Sequence, residues 1–246
     1  MKNIKLEIEY DGSRYNGWQK LGNNQNTIQG KIEEVLSKMT KENIEIIGSG
    51  RTDAGVHAIS QIANFKTSTD MNIYEIKDYC NEYLPQDIVI KRIEEVDERF
   101  HARYNAKGKK YLYRIWNGHT PTAFHRKYTY YIKEPLYIDR MKKASKYFIG
   151  EHDFKSFCSS KSKKKKTVRE IYEIDIEKIG PEINIVFYGN GFLYNMVRII
   201  VGTLIEVGQG KRDIHSIEEI LNLKSREEAG VTAPAQGLFL YEVYYD

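Results

Sequence analysis

The sequence predicts an α+β protein made of two similar halves, each a split βαβ unit, with antiparallel sheets that join and a central cleft between them. Three observations predict it. Hydrophobic periodicity alternates between two and about 3.6 residues in the order β-α-β-β-α-β along the first part of the chain. A similar succession starts again at Tyr111. Between them lies Arg99–Lys110 (RFHARYNAKGKK), polar, basic and broken by Gly108, as suits a linker or a cleft edge. The halves are therefore expected at residues 1–105 and 106–246.

In order, Ile4, Leu6, Ile8 and Tyr10 alternate with charged residues as a strand with one wet face, and Asp11-Gly12 ends it. Ile28, Ile32, Val35, Leu36 and Met39 recur at helical spacing behind Thr27, an N-cap. A strand over Asn43–Ile47 leads into a Gly-rich loop, and Ile59–Phe65 is a strand leaving it. A helix over Ile73–Tyr83 stops at Pro85, and a strand follows over Ile88–Val96. The second succession has strands at Tyr111–Trp116, Val168–Glu177, Ile183–Tyr188 and Leu238–Tyr245. Its helices are expected at Ile138–Phe148, Phe192–Val207 and Ile214–Leu223. This split βαβ order is that of ferredoxin-like and RRM-like domains.

Composition narrows the class. With 246 residues, 41% hydrophobic and 29% charged, the chain can bury a sizeable core without staples. No apolar run approaches bilayer length and no basic-then-apolar leader follows Met1, so a cytoplasmic protein with no membrane partner is expected. Two distant cysteines, Cys80 and Cys158, make no disulfide framework, and six scattered histidines show no metal-binding spacing, so no metal site is expected. The net charge of +4 is mild, but it is segregated: six of the ten residues from Lys161 to Glu170 are Lys or Arg, and Lys107, Lys109 and Lys110 form a second cluster. Segregated cations beside abundant tyrosine suit a polyanion with unpaired bases. The lysine run is by default a solvated loop, and Lys163, Lys164, Lys165 and Lys166 are candidates to lie along a nucleic-acid backbone.

The chemistry concentrates in Gly48–Ala58, GSGRTDAGVHA. Its glycine spacing starts two phosphate-binding patterns and completes neither. Val56 and His57 stand where a P-loop needs Lys and a hydroxyl, and Asp53 stands where a dinucleotide fingerprint needs its third glycine. What remains is a carboxylate reagent, with Arg51 beside Asp53 to favour the ionised form, fit to act as nucleophile or base. The string Gly50–His57 resembles the active-site motif of the tRNA pseudouridine synthase A family, in which the Asp is catalytic. KKYLYRIW, Lys109–Trp116, resembles the family's second motif, and by it Tyr111 would stack on the target base and take part in proton transfer. GFLYNMVRIIVGTLIEVG, Gly191–Gly208, carries Arg198, to which the resemblance gives the task of pairing with the catalytic Asp. Asn195 stands where some members have His. YDGSRYNGWQ, Tyr10–Gln19, is similar to a further signature, and Arg14, Trp18 and Gln19 are candidate RNA contacts, as is Arg51; a structural role for Trp18 is equally open. Ala233–Leu238 also follows the family, as a shaping loop.

The resemblance spans nearly the whole chain. It implies a catalytic cleft, a homodimer, no cofactor, and isomerisation of uridine to pseudouridine at positions 38, 39 and 40 in the anticodon arm of tRNA. A non-catalytic RNA-binding protein would lack a purpose for the Asp53 loop and lacks the RNP1-type signature. A base deaminase would need H-x-E and PCxxC elements, which are absent.

Overall fold

A computed structural model describes residues 1–20, 22, 26–159 and 166–245. The protein has the α+β class expected of it, and its chain divides into two compact units. The first is Met1–Lys107 with Phe239–Asp246, and the second is Gly108–Leu238.

In the first unit, β1 (Lys2–Tyr10) lies between β4 (Ile88–Val96) and β3 (His57–Thr67), antiparallel to both. The short β2 (Ile47–Gly48) pairs with β3. The order β4-β1-β3-β2 is that of a split βαβ unit. Two helices, α1 (Ile28–Thr40) and α2 (Ile73–Tyr83), bury Ile28, Ile32, Leu36, Ile76 and Cys80. Ile4, Leu6 and Ile8 on β1, and Ile90 on β4, are likewise buried. Both helices start where the caps predict: Thr27 accepts from the Gly30 N–H, and Asn72 forms a reciprocal capping box with Glu75. The last strand, β10 (Leu238–Tyr244), joins β3 in parallel through Phe239 and Leu240, opposite His57 and Ala58.

Away from the helices, a buried amide pair pins the segment after β4. Asn64 Nδ2 donates to Asn3 Oδ1 (3.0 Å), Asn3 Nδ2 donates to the Phe100 carbonyl (3.0 Å), and Asn64 Oδ1 accepts from the Ala102 N–H (2.9 Å). Every polar group in that chain has a partner, which is why burial there is tolerated.

The strand expected over Asn43–Ile47 contracts to two residues. The donors that a longer ladder would use go elsewhere: Ile44 N–H donates to Ser37 Oγ (3.0 Å) and Ile46 N–H to Glu33 Oε1 (3.1 Å), both on α1. Buried Ile44 and Ile46 thus read as a strand although helix side chains take their backbone.

The second unit holds the antiparallel run β5 (Gly108–Trp116), β9 (Glu182–Gly189), β8 (Val168–Ile179) and β7 (Gly150–Asp153), with β6 (Tyr130–Tyr131) parallel to β5. Its helices are α3 (Ile138–Ser145), α4 (Met196–Gly208) and α5 (Ser216–Leu223). α3 tightens into a 3-10 turn over Lys146–Phe148, inside the helix expected to run to Phe148. β7 is not expected from periodicity because GEHD is polar, a composition suited to the edge strand it forms. Phe192 lies outside α4, contrary to the expected start: Asn195 takes a left-handed conformation (φ 60°, ψ 7°) and the helix begins after it. The apolar spacing simply continues through non-helical backbone. Among the described residues, no helix is long and apolar enough to cross a membrane.

Candidate active site

The Gly-rich motif leaves β2 and returns on β3, and its middle is gripped by groups outside it. Buried Thr52 receives two: its carbonyl accepts from the Trp18 N–H (3.0 Å), and its hydroxyl is 2.7 Å from the Tyr10 hydroxyl. Gly17, at φ +94°, packs directly on this backbone. A Cβ there would lie 2.7 Å from the Thr52 carbonyl oxygen and 3.1 Å from the Asp53 carbonyl carbon. The Asp53 carbonyl accepts from the Val56 N–H (3.1 Å), closing a turn through Gly55 at φ +78°. At the loop's start, Ser49 N–H donates to the Ile62 carbonyl (2.7 Å) and Gln61 Nε2 holds the Gly50 carbonyl (3.0 Å). Asp53 is half-buried on this braced turn.

His57, 1% exposed, is stacked on Phe239 with ring centroids 4.8 Å apart. Its Nδ1 accepts from the Gly12 N–H (3.1 Å), which requires an unprotonated Nδ1. In that tautomer the 3.1 Å approach of Asp11 Oδ1 to Nδ1 is proximity rather than an ion pair.

The other site candidates of the first unit separate by exposure. Arg51 is exposed. Arg14 is tied to Asp87 at 2.5 Å, and Tyr15 donates to the other oxygen of the same carboxylate (2.5 Å). Burial, and then the Asp87 carboxylate it donates to, push the Tyr15 phenol pKa well up. Arg14 still presents much of its side chain to solvent. Trp18 is 2% exposed beneath Gly48, where an added Cβ would lie 2.6 Å from the indole, so its observable task is to support the start of the loop. Gln19 is half-buried.

The second unit carries the remaining candidates. Tyr111 sits on β5 opposite Phe187 and meets Phe192 edge-on, with centroids 5.1 Å apart. Tyr113, two residues on and so on the same face, is fully buried and donates to the Pro234 carbonyl (2.8 Å). Burial holds its phenol protonated far above its ordinary range, with the Arg198 charge opposing weakly. Arg198 lies in the first turn of α4. Its Nε donates to the Ala233 carbonyl (2.7 Å) and its Nη1 to Asn195 Oδ1 (3.0 Å), while the Ala233 N–H returns to the Arg198 carbonyl (3.1 Å). The loop carrying Ala233 is itself seated on α4, since a Cβ on Gly202 would lie 1.8 Å from the Val231 carbonyl oxygen. Lys166 is exposed; Lys163, Lys164 and Lys165 lie outside the described residues.

Sequence reasoning named some of the supports and missed how they act. Tyr10 reads as an ordinary inward strand residue, and nothing in its spacing announces a hydroxyl reaching Thr52. Ala233 and Pro234 belong to the expected shaping loop, but they act through backbone carbonyls, which leave no side-chain signature. Asn195 gave a signal, as a polar residue opening an apolar run, and its function here is to hold Arg198. Chemically, the first unit offers a carboxylate on a fixed turn and the second an oriented guanidinium whose charge reaches buried Tyr113. Among the described residues, no cluster of three or more His, Cys, Asp or Glu is placed to hold a metal ion.

The family model for tRNA pseudouridine synthases matches residues 7–105 and 144–246. A tRNA pseudouridine synthase A of Bacillus sp. (strain KSM-64) is 55% identical over 240 residues, covering 98% of this chain and 98% of that one. A tRNA pseudouridine synthase A 2 of Bacillus cereus is 51% identical over 245 residues, and one of Clostridium perfringens (strain 13 / Type A) 50% identical over 247 residues, each covering 100% of both chains. With identity at this level from end to end, and a braced aspartate loop in the first matched block, the chain belongs to the tRNA pseudouridine synthase family.

Proposed function

We propose that the chain, an isomerase of tRNA uridines by family, converts uridine to pseudouridine at positions 38, 39 and 40 of the anticodon arm, as a cytoplasmic homodimer needing no cofactor. The observation that carries this reading is the placement of Asp53 on a turn whose backbone is clamped by Trp18, Tyr10 and Gly17. A carboxylate so fixed suits attack on one carbon of a bound sugar, where misplacement by about 1 Å costs about 100-fold.

In this reading Asp53 acts on the ribose, either as a nucleophile at C1′ or as a base toward the C2′ proton, and the bond from C1′ to uracil N1 breaks. The base turns and C5 bonds to C1′, which releases the Asp53 carboxylate from C1′ or is accompanied by return of the proton to C2′; the C5 proton leaves and N1 takes up a proton, so atoms balance without redox chemistry. Arg198 pairs with Asp53 and keeps it ionised, its guanidinium aimed by Asn195 and Ala233. Tyr111 stacks on the turning base and relays a proton. Arg51, exposed beside Asp53, meets the substrate backbone, with Arg14, Gln19 and the Lys163–Lys166 run as further contacts. Trp18 serves from beneath the loop. The target base must leave the stem stack first, at about a few kcal/mol.

Unmodified tRNA transcripts tritiated at uracil C5 test the reading. Tritium release is expected without added metal or nucleotide, and Asp53→Asn should lower it by at least about 1,000-fold while transcripts remain bound. Wild-type chain that binds without releasing tritium would sink the proposal.

A further inference from the structure

One surface of the second unit has no task in this scheme. Between β5 and β6, residues 117–129 form a loop that carries Phe124 at 91% exposure, the most exposed large apolar side chain of the described residues. Ala123, His125, Arg126 and Lys127 around it are also exposed. From Asn117 to Lys133 the sequence contains Arg126, Lys127, Lys133, His119 and His125, and no Asp or Glu. A lone exposed apolar residue needs no explanation; one set in a fixed stretch of seventeen residues without an acidic side chain invites one.

The platform is built. Trp116 Nε1 donates to the Thr120 carbonyl (2.9 Å), and the Trp116 ring stacks on His125 with centroids 5.7 Å apart at 22°. Asn117 Nδ2 donates to the Ile132 and Glu134 carbonyls (3.0 and 2.8 Å). The His125 carbonyl accepts from the Tyr128 N–H (2.8 Å) and from Thr129 Oγ1 (3.0 Å). The last anchor matters most. Gln236 Nε2 donates to the carbonyls of Arg126 (3.1 Å) and Thr129 (2.9 Å). Gln236 belongs to the same short stretch as Ala233, which holds Arg198, and Pro234, which holds the Tyr113 hydroxyl. The loop and the site residues of this unit are thus fixed to one backbone segment.

We propose that this loop is a contact surface for the tRNA, with Phe124 stacking on an unpaired base and Arg126 and Lys127 against the adjoining phosphates. The inference rests on the reading of the chain as a tRNA isomerase and adds a place where that substrate is held. An aromatic ring offers a sequence-tolerant stacking face, and cations beside it supply affinity from the backbone. Because the loop is already ordered by its anchors, little ordering cost falls on binding. Charge decides between partners: a run of seventeen residues without a carboxylate suits RNA better than a neutral apolar protein face.

The test measures binding of the unmodified transcript and of a fully paired RNA duplex of equal length across a salt series. It uses wild type, Phe124→Ala, Phe124→Trp and the double variant Arg126→Ala with Lys127→Ala, with light scattering for the mass of the assembly. Phe124→Ala should weaken transcript binding by about 5- to 50-fold and duplex binding by less than about twofold. Phe124→Trp should bind as wild type, with its indole fluorescence quenched by transcript. The double variant should flatten the dependence of log affinity on log salt by about 1.4 to 1.8. Unchanged transcript binding by Phe124→Ala overturns the proposal, and so does a change in assembly mass, which would make the loop a protein contact. Wild type that binds transcript without releasing tritium fails the isomerase reading alone; wild type that does both, matched by Phe124→Ala, fails the loop alone.

Discussion

In the first unit the candidate carboxylate, Asp53, rides on a loop, and its position is set by backbone: Gly17 lies on the Thr52–Asp53 chain, and Trp18 holds the Thr52 carbonyl. In the second unit Arg198 rides on the first turn of α4, and its position is set by side-chain hydrogen bonds to Asn195 Oδ1 and the Ala233 carbonyl. The same need, a charge held in one place, is met by contact in one case and by directed bonds in the other. Contact leaves no room for an added atom. Directed bonds tolerate replacement where the backbone is kept.

The sharpest break of this comparison comes from adding one carbon to each side. Gly17→Ala forces both a strained φ and a clash with Thr52, so tritium release should fall by at least about 100-fold, beyond what its loss of stability explains. Gly202→Ala pushes the Val231 loop off α4 and should appear first as lost stability, about 3 kcal/mol in denaturant unfolding. If Gly17→Ala kept activity, backbone contact would not be what positions Asp53.

A milder pair removes one bond from each side. Tyr10→Phe leaves buried Thr52 Oγ1 without its partner and should cost about 1–2 kcal/mol of stability, with the turnover rate falling more than the Michaelis constant rises. Asn195→Gly keeps the left-handed backbone while deleting the Arg198 partner. With the Ala233 bond to Arg198 kept, it should leave stability within about 1 kcal/mol of wild type and lower activity by about 3- to 10-fold. Equal losses of activity and stability in both variants would erase the distinction.

The smallest effect lies in the alkaline limb. Burial raises the Tyr113 phenol pKa above its unfolded value near 10. The stability tied to its proton is therefore complete below about pH 10 and declines above it, because the unfolded chain releases that proton first, at about 1.4 kcal/mol per pH unit. Tyr15 and Tyr245 are raised in the same sense, and Cys80 is pushed up to about 12. Tyr113→Phe should make the limb shallower by one proton without levelling it, as followed by urea midpoints from pH 9 to 11.

Much of the fold was legible because its signals are local. The alternation at Ile4, Leu6, Ile8 and Tyr10, the Thr27 cap and the Pro85 stop each act within a few residues, and each element stands where they place it. The aspartate motif was legible because glycines in that density demand a reason. What was not legible is tertiary. Arg14 meets Asp87 from seventy-three residues away, Ile44 and Ile46 give their donors to α1, and Phe192 keeps helical spacing in a segment that Asn195 keeps out of the helix. Periodicity reports which residues are buried, not which partner takes the backbone.

The return of Phe239 and Leu240 to lie beside His57 and Ala58 has a consequence for biosynthesis. Asp53 is translated well before Phe239 and Leu240, so its unit is not closed until those residues have been made. A product released before Phe239 would carry Asp53 on an unfinished sheet, with the His57 ring lacking its Phe239 cover. Cutting the chain before Phe239 should therefore cost the Asp53-bearing unit its order as well as the strand itself.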